Sequence, residues 1–253
     1  MNNSSEHNEK NYIEQKIKEN NAQITRLLAE NEELLRGAGF DPPAKNYALH
    51  NNARIKFPSN YIRTKDYFVK KYKLRYFFKD PVTMSNVAYS LQMSDLYNYI
   101  VNRFKIFGSI NTMVYKAATI NCVCIIESLI GQALDDMHAH CKKCPNHDEC
   151  MYYFAKKQQF SDKLDKIRKY DMLRLDDEGD QRIRDAYRLR NHMHIYTAAK
   201  ENELTNKTFD RDLYNGIIDI MQQVTFNLYY YMLPASKKCY KILLDERNRS
   251  EFM

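Results

Sequence analysis

The chain has 253 residues, 44% of them apolar, and a formal net charge of +7. This length favours one main domain with appendages. Only six Gly and six Pro occur, which favours helices over a β-sandwich or barrel, so we predict an all-α fold. The first thirty residues are polar and charged, and no apolar run approaches the ~20 residues that span a bilayer. We therefore expect a cytoplasmic protein that does not contact a membrane.

The first predicted element is an N-terminal helix. Residues 1–8 are expected to be disordered, whereas residues 9–36 fit a heptad pattern. Most of the seam positions in this pattern are apolar, and Asn within such a seam often fixes register. The helix is therefore predicted to be coiled-coil-like, supporting a dimer made elsewhere, folding back onto its own domain or binding a partner protein. The seam consists of Ile13, Ile17, Asn20, Ile24, Leu27, Asn31 and Leu34.

Residues 37–80 are predicted to form a linker and a basic-aromatic segment. Between Arg54 and Asp80, nine Lys or Arg stand against two Asp, a balance of +7 that equals the charge of the whole chain. Eight aromatic residues are interleaved with them, a combination that can track a phosphate backbone and stack bases. The alternative is an irregular or short-stranded segment with its aromatics on a helical core and its lysines outward. The candidate RNA-binding residues are Lys70, Lys71, Lys73 and Arg75.

Residues 81–235 are predicted to form a helical domain, followed by a charged tail at 236–253. The first helix begins at Pro81 with Thr83 or Ser85 as its start signal and reaches Gly108. The others are the buried central helix Ile110–Met137, then Tyr152–Leu175, Asp180–Lys200 after the cap-like Asp176 and Asp177, and Phe209–Leu233.

One acid interrupts the apolar pattern of the central helix. Glu127 is costly to bury without a partner, because a carboxylate loses its hydration in an apolar interior. It therefore either lies at the edge of the apolar stripe or pairs with Arg188 or Arg190.

Residues 138–150 form an insert with three Cys and three His. Thiolate and imidazole ligands suit tetrahedral zinc, and the insert is predicted to hold a structural zinc without an open position for catalysis. The fourth ligand is expected to be His138, with His147 as its competitor. An iron–sulfur cluster and a loop of free thiols are alternatives. The predicted cysteine ligands are Cys141, Cys144 and Cys150; the remaining cysteines, Cys122, Cys124 and Cys239, are expected to be core or surface thiols.

The stretch from Arg188 to His194 combines guanidinium and imidazole groups. A guanidinium grips phosphate in a planar, two-pronged manner, and an imidazole moves protons near neutral pH. On a helix, Arg190 and His194 share one face. The alternative is a solvated Arg/His face with Leu189 and Met193 turned toward a core.

The order of an apolar helix with an embedded acid, an insert, Arg-Asn-x-x-His and a long apolar helix resembles the HEPN superfamily. These are small all-helical domains of prokaryotic RNases and toxins, and the resemblance covers about residues 84–235. The family motif is an Arg, four to six residues and a His, often with a polar residue after the Arg. Arg188 has that spacing to His194, whereas Arg190 is followed by the polar Asn191.

The resemblance implies a metal-independent endoribonuclease, either a toxin or an anti-phage effector, with its site in the cleft of a homodimer. It implies that His194 transfers a proton and that Arg190 or Arg188 stabilises charge on the phosphate. Asn191 would contact the phosphate or orient the histidine, and Glu127 would orient the site. A non-catalytic dimeric module that binds RNA or a protein is the main alternative. A zinc-dependent hydrolase is a third, for which the insert lacks a clear open site.

Overall fold

The computed structural model describes residues 3–39, 54, 61–143, 159–169, 173, 175–191 and 209–235. Every regular element within these ranges is an α-helix, so the all-α prediction is confirmed. The chain divides into two compact units, residues 1–58 and residues 59–253.

The first unit contains one long helix, α1 (Asn3–Gly37). It includes residues 3–8, which the sequence predicted to be disordered. The helix ends where Gly39 adopts a φ of 79° and its N–H donates to the carbonyl of Arg36. The apolar seam residues of α1 are exposed, so whether another chain covers them stays a prediction.

The second unit begins with two short helices, α2 (Lys65–Lys71) and α3 (Leu74–Phe77). The expectation of an irregular or short-stranded segment is therefore wrong for these residues. Thr64 caps α2 by accepting a hydrogen bond from the N–H of Tyr67, and Lys73, at a φ of 50°, separates the two helices. The alternative that the aromatics of this segment pack on a helical core is correct in part. Five of its apolar side chains lie in the core: Phe68, Val69, Leu74, Phe77 and Phe78.

The next helix, α4 (Pro81–Arg103), begins with a different cap from the one predicted. Asp80 accepts hydrogen bonds from the backbone N–H groups of Val82 and Thr83, and Pro81 fills the first helical turn, where it needs no N–H partner. The start signal was therefore placed too late at Thr83 or Ser85. The helix also ends before Gly108, with Phe104 at its C-cap.

Helix α5 (Gly108–Lys143) is the centre of the bundle and packs chiefly against α4 and the last helix. The stretch Gly108–Asp135 is long and apolar enough to cross a membrane by length and composition, which the sequence analysis had excluded. Of the 18 consecutive residues that make it apolar enough, 56% are buried inside the protein, as is usual for a helix in a protein core. The helix also continues past the predicted end at Met137 into the first residues of the Cys/His insert.

Three further helices complete the described bundle: α6 (Phe160–Lys169), α7 (Asp177–Asn191) and α8 (Arg211–Ala235). Asp176 accepts from the N–H of Gly179 at 2.7 Å, so the predicted cap before α7 is confirmed. Helix α6 ends before Leu175, its predicted limit. Helix α8 buries a continuous apolar face: Tyr214, Ile217, Ile220, Met221, Val224 and Leu228.

An ion pair links Arg63, which precedes α2, to Asp95 of helix α4. The backbone N–H of Arg63 donates to Asp95 Oδ2 at 2.8 Å, and the guanidinium makes a further two-pronged contact with the same carboxylate. Burial tends to raise the pKa of Asp95, but the hydrogen bonds and the charge of Arg63 outweigh it and hold the pKa below its usual value. The Asp95 side chain is only 10% exposed, so the pair acts as a partly buried clamp.

We expect Asp95→Asn to lower the free energy of unfolding by roughly 1–2 kcal/mol at pH 7. Because the pKa of Asp95 is lower in the folded state, its carboxylate stabilises the fold above the unfolded pKa of about 3.9 and loses this effect as the pH falls through the folded value. Urea unfolding at pH 7 and pH 3 should therefore show a smaller acid-induced loss in the variant. Asp66→Asn, at an exposed acid of α2, is the control, and equal pH dependence in Asp95→Asn and wild type would contradict the prediction.

Candidate functional site

The acid of the central helix meets an arginine of the predicted motif. Arg190 Nη2 lies 3.2 Å from Glu127 Oε2, and both side chains are one-third exposed. The sequence predicted a pair with Arg188 or Arg190, and the pair forms with Arg190. The pair joins α5 to the last turn of α7 at the protein surface. Glu127 therefore fixes the guanidinium of Arg190 while leaving it open to solvent.

The guanidinium of Arg190 has two further contacts. Its Nη1 donates to Asn191 Oδ1 at 3.0 Å, and its centre lies 5.8 Å from the ring of Tyr187. Tyr187 in turn packs on Phe160, with ring centroids 4.3 Å apart. Since the amide oxygen of Asn191 accepts from Arg190, the amide N–H groups remain as donors beside the guanidinium.

A network that the sequence did not predict positions α7 itself. Asp180 is buried and accepts from Arg184 Nε at 2.8 Å and from Arg168 Nη1 at 3.1 Å. Arg168 also contacts the exposed Asp177, and Arg184 reaches Asp165 of α6 at 2.8 Å. The hydrogen bond that Arg184 donates to Asp180 raises the pKa of Arg184. The network therefore ties α6 to the first two turns of α7, the helix that carries Arg190.

Of the other motif residues, those up to Asn191 are described and those after it are not. Arg188 is exposed and Leu189 is buried, so α7 presents its arginines outward and its apolar face to the core. His192 and His194 lie outside the described residues, and the catalytic assignment of His194 stays a prediction. The exposure of Arg188 and the burial of Leu189 fit a solvated Arg/His face as well as they fit a catalytic motif.

Comparison with known proteins adds nothing to this geometry. No protein-family model, no curated protein and no solved structure matches the chain. The HEPN resemblance therefore stays a prediction, and any function must be argued from the side chains themselves.

The predicted RNA-binding residues lie on the surface of α2 and α3. Lys70, Lys71, Lys73 and Arg75 are all exposed, and the ammonium of Lys71 lies 5.6 Å from the ring centre of Tyr67. Among the described aromatics of this segment, some thus lie in or against the core and others on the basic surface. The exposed group consists of Tyr61, Tyr67 and Tyr76.

The sequence missed an aromatic ladder on α4. Tyr61 stacks on Tyr99 with ring centroids 5.4 Å apart, and Tyr99 meets the edge of Phe104 at 6.0 Å. Tyr61 and Phe104 are about half exposed. Tyr99 and Phe104 lie outside the basic-aromatic segment in sequence, and only the packing of residue 61 against α4 brings the three rings together.

The side chains of the Cys/His insert, and its residues 144–150 entirely, lie outside the described residues. Helix α5 runs through His138 and Cys141, about one helical turn apart, so the insert begins within the helix rather than after it. Nothing is described of these side chains or of Cys144, His147 and Cys150. Among the residues whose side chains are described, no group of three metal-ligating residues occurs, and the zinc site stays a prediction.

We expect purified protein to contain about one zinc per chain, because three thiolates and an imidazole complete a tetrahedral shell. Cys141→Ser and Cys144→Ser should each release the metal and lower thermal stability together, since binding a structural zinc contributes directly to folding free energy. Elemental analysis and thermal unfolding measure the two effects. Cys124→Ser, a half-buried thiol of α5, is the matched control. Freshly reduced protein without metal would contradict the prediction.

The thiol of Cys122, which lies in the core, is expected to be unreactive. Cys122 is fully buried beside the hydroxyl of Ser94, and burial raises the pKa of its thiol to about 11. A thiol with this pKa is protonated near neutral pH and is a poor nucleophile and metal ligand. This agrees with its prediction as a core thiol.

Proposed function

We propose that the protein is a metal-independent endoribonuclease of HEPN type that acts as a homodimer in a toxin or anti-phage role. The observation that supports the proposal best is the contact between Glu127 and Arg190. An arginine that is fixed by an acid, lies within cation–π distance of an aromatic ring and is still one-third exposed is preorganised for an anion.

The chemistry follows from the groups around that arginine. The 2′-hydroxyl of RNA attacks the adjacent phosphorus while the 5′-oxygen departs, which leaves a 2′,3′-cyclic phosphate and a 5′-hydroxyl. Negative charge grows on the phosphate oxygens, where the guanidinium of Arg190 and the amide of Asn191 donate hydrogen bonds. His194 takes the proton of the 2′-hydroxyl and gives a proton to the departing 5′-oxygen, which an imidazole can do near neutral pH. Glu127 is a positioning residue, because it acts through Arg190.

The surface of α5 supports the dimer. One face of this helix is at least partly exposed over most of its length and is almost entirely apolar, until it reaches Glu127. A second copy that covers this stripe would bring two Glu127–Arg190 pairs close to one another. A small residue near its end, Gly131, has open space around it, which allows close approach of another helix. The stripe consists of Ile110, Met113, Ala117, Ile120, Cys124, Glu127 and Gly131.

Incubation of the full-length protein with total RNA and excess EDTA, at a temperature where circular dichroism shows that the metal-free protein is still folded, tests the proposal. We expect chelator-resistant cleavage with 2′,3′-cyclic phosphate ends, and we expect His194→Ala to abolish it while the helical circular dichroism signal stays unchanged. His192→Ala is the matched control, because a residue two positions away projects about 160° from His194 on a helix. Cleavage by His194→Ala at the wild-type rate would overturn the assignment.

The second candidate function is a non-catalytic module that binds RNA. The half-exposed rings of Tyr61 and Phe104, which are joined through Tyr99, favour it, since exposed aromatic rings stack single-stranded bases. This candidate gains support if oligonucleotides bind with a strong salt dependence but are not cleaved, and if Phe104→Ala weakens the binding.

A further inference from the structure

Helix α1 has a long apolar seam without a covering element among the described residues of its unit. Alternate intervals of three and four separate the seam positions, which is the spacing of a left-handed coiled coil. Ile17 and Ile24, for example, are 51% and 52% exposed. A helix that buries so little stays marginal in water, because packing of an apolar face supplies most of the stability of helices in proteins.

The residue types along the seam favour two strands. Ile17, Ile24 and Asn31 occupy the first core position of successive heptads. The second core position holds Leu in the two C-terminal heptads and Ile or Asn before them: Ile13, Asn20, Leu27 and Leu34. β-Branched residues at the first position and Leu at the second are the arrangement that suits a two-stranded coil. The pattern therefore selects a single partner helix rather than a larger bundle.

The two asparagines of the seam restrict what that partner is. An amide buried against an apolar side chain loses its hydrogen bonds with water without replacement. A second copy of α1 solves this in either orientation. In a parallel pair each Asn meets itself, and in the antiparallel pair that aligns Ile24 with Leu27, Asn20 meets Asn31.

The charges of α1 are consistent with such a partner. The seam from Ile13 to Leu34 contains no charged residue, and ion pairs within the helix engage charges on its flanks. Lys16 contacts Glu19 at 3.5 Å and Arg26 contacts Glu30 at 3.6 Å. A partner of high charge would thus find no complementary stripe on this face.

We propose that the seam of α1 binds the same seam of a second copy of this chain as a two-stranded coiled coil. This interface does not depend on RNA cleavage, and it is separate from the exposed stripe of α5. If both contacts join the same two chains, each raises the effective concentration of the other.

Sedimentation equilibrium of full-length double-lysine variants tests the interface. Ile17→Lys with Ile24→Lys places two charges in the seam, and Ala22→Lys with Ala29→Lys places the same charges at the same spacing on the outer, exposed face. We expect the seam variant to self-associate at least about tenfold more weakly than the control, and to lose helical circular dichroism as α1 unfolds.

A gain-of-function variant makes the test independent of damage to the fold. Asn31→Leu should tighten self-association about tenfold, because a buried Asn specifies register at a cost in stability. Equal self-association of the two double-lysine variants would overturn the proposal. So would a loss of thermal stability in the seam variant with unchanged self-association, which would mean that α1 packs on its own chain, or an unchanged dissociation constant in Asn31→Leu, which would indicate an unrelated partner.

Discussion

Arg190→Ala is expected to lower RNA cleavage by roughly 10²–10³-fold, the usual cost of losing one donor to a developing oxyanion. The variant removes the guanidinium that Glu127 and Asn191 hold in place. Single-turnover cleavage of a labelled RNA measures the effect. The loss should appear mainly in the rate of the chemical step, because the charge on phosphate grows toward the transition state.

Arg188→Ala is the matched control for this prediction. The two arginines are two positions apart on α7, and the substitution removes the same charge from the same helical turn. We expect less than about a tenfold loss, since Arg188 then contributes to cleavage through general electrostatic attraction of RNA and not through the clamp on the phosphate. If Arg188→Ala is the more damaging variant, the longer family spacing to His194 is the functional one and the Glu127–Arg190 pair is structural.

Asp180→Ala is expected to lower the free energy of unfolding by ~3 kcal/mol, because it leaves the guanidiniums of Arg168 and Arg184 without their shared, buried acceptor. For a chain of this size the loss corresponds to a fall in melting temperature of about 10 °C. Thermal unfolding followed by circular dichroism measures it. Cleavage should fall as well at temperatures where the variant is still folded, because α7 carries Arg190.

Asp177→Ala is the control that distinguishes the effect of a buried carboxylate from that of an exposed one. Asp177 lies on the first turn of the same helix and contacts the same Arg168 at 2.5 Å, but its side chain is 94% exposed. Exposed ion pairs contribute at most about 1 kcal/mol, so the melting temperature should change by only a few degrees. Equal destabilisation by the two substitutions would show that the network stabilises through helix capping rather than through the buried carboxylate.

Local sequence signals predicted much of the fold. Asp176 was recognised as a cap because a carboxylate before an acidic first turn satisfies free N–H groups. The cap at Asp80 was missed since Thr83 and Ser85 offer the same chemistry nearby. Residues 65–77 were misjudged because their aromatic and basic side chains obscured a helical spacing, which Lys73 interrupts with its left-handed backbone.

At the candidate site, some contacts could be predicted from the sequence and others could not. The partner of Glu127 was predictable, since an acid within an apolar helix needs a donor and the HEPN resemblance singles out Arg188 and Arg190. The buried Asp180 was not, because one of its two partners, Arg168, lies on another helix. An i, i+4 pair with Arg184 was the only signal available in the sequence. The ladder of Tyr61, Tyr99 and Phe104 likewise depends on tertiary packing alone.

The continuity of α5 through Lys143 constrains how this protein can change over evolutionary time. Glu127 and Cys141 stand about four turns apart on one uninterrupted rod. Inserting or deleting a single residue between them would rotate one by about 100° relative to the other and shift it by about 1.5 Å. Surface loops absorb such length changes readily, but this stretch does not. Its length is therefore expected to be invariant among descendants of this gene, even where the identities of its residues drift.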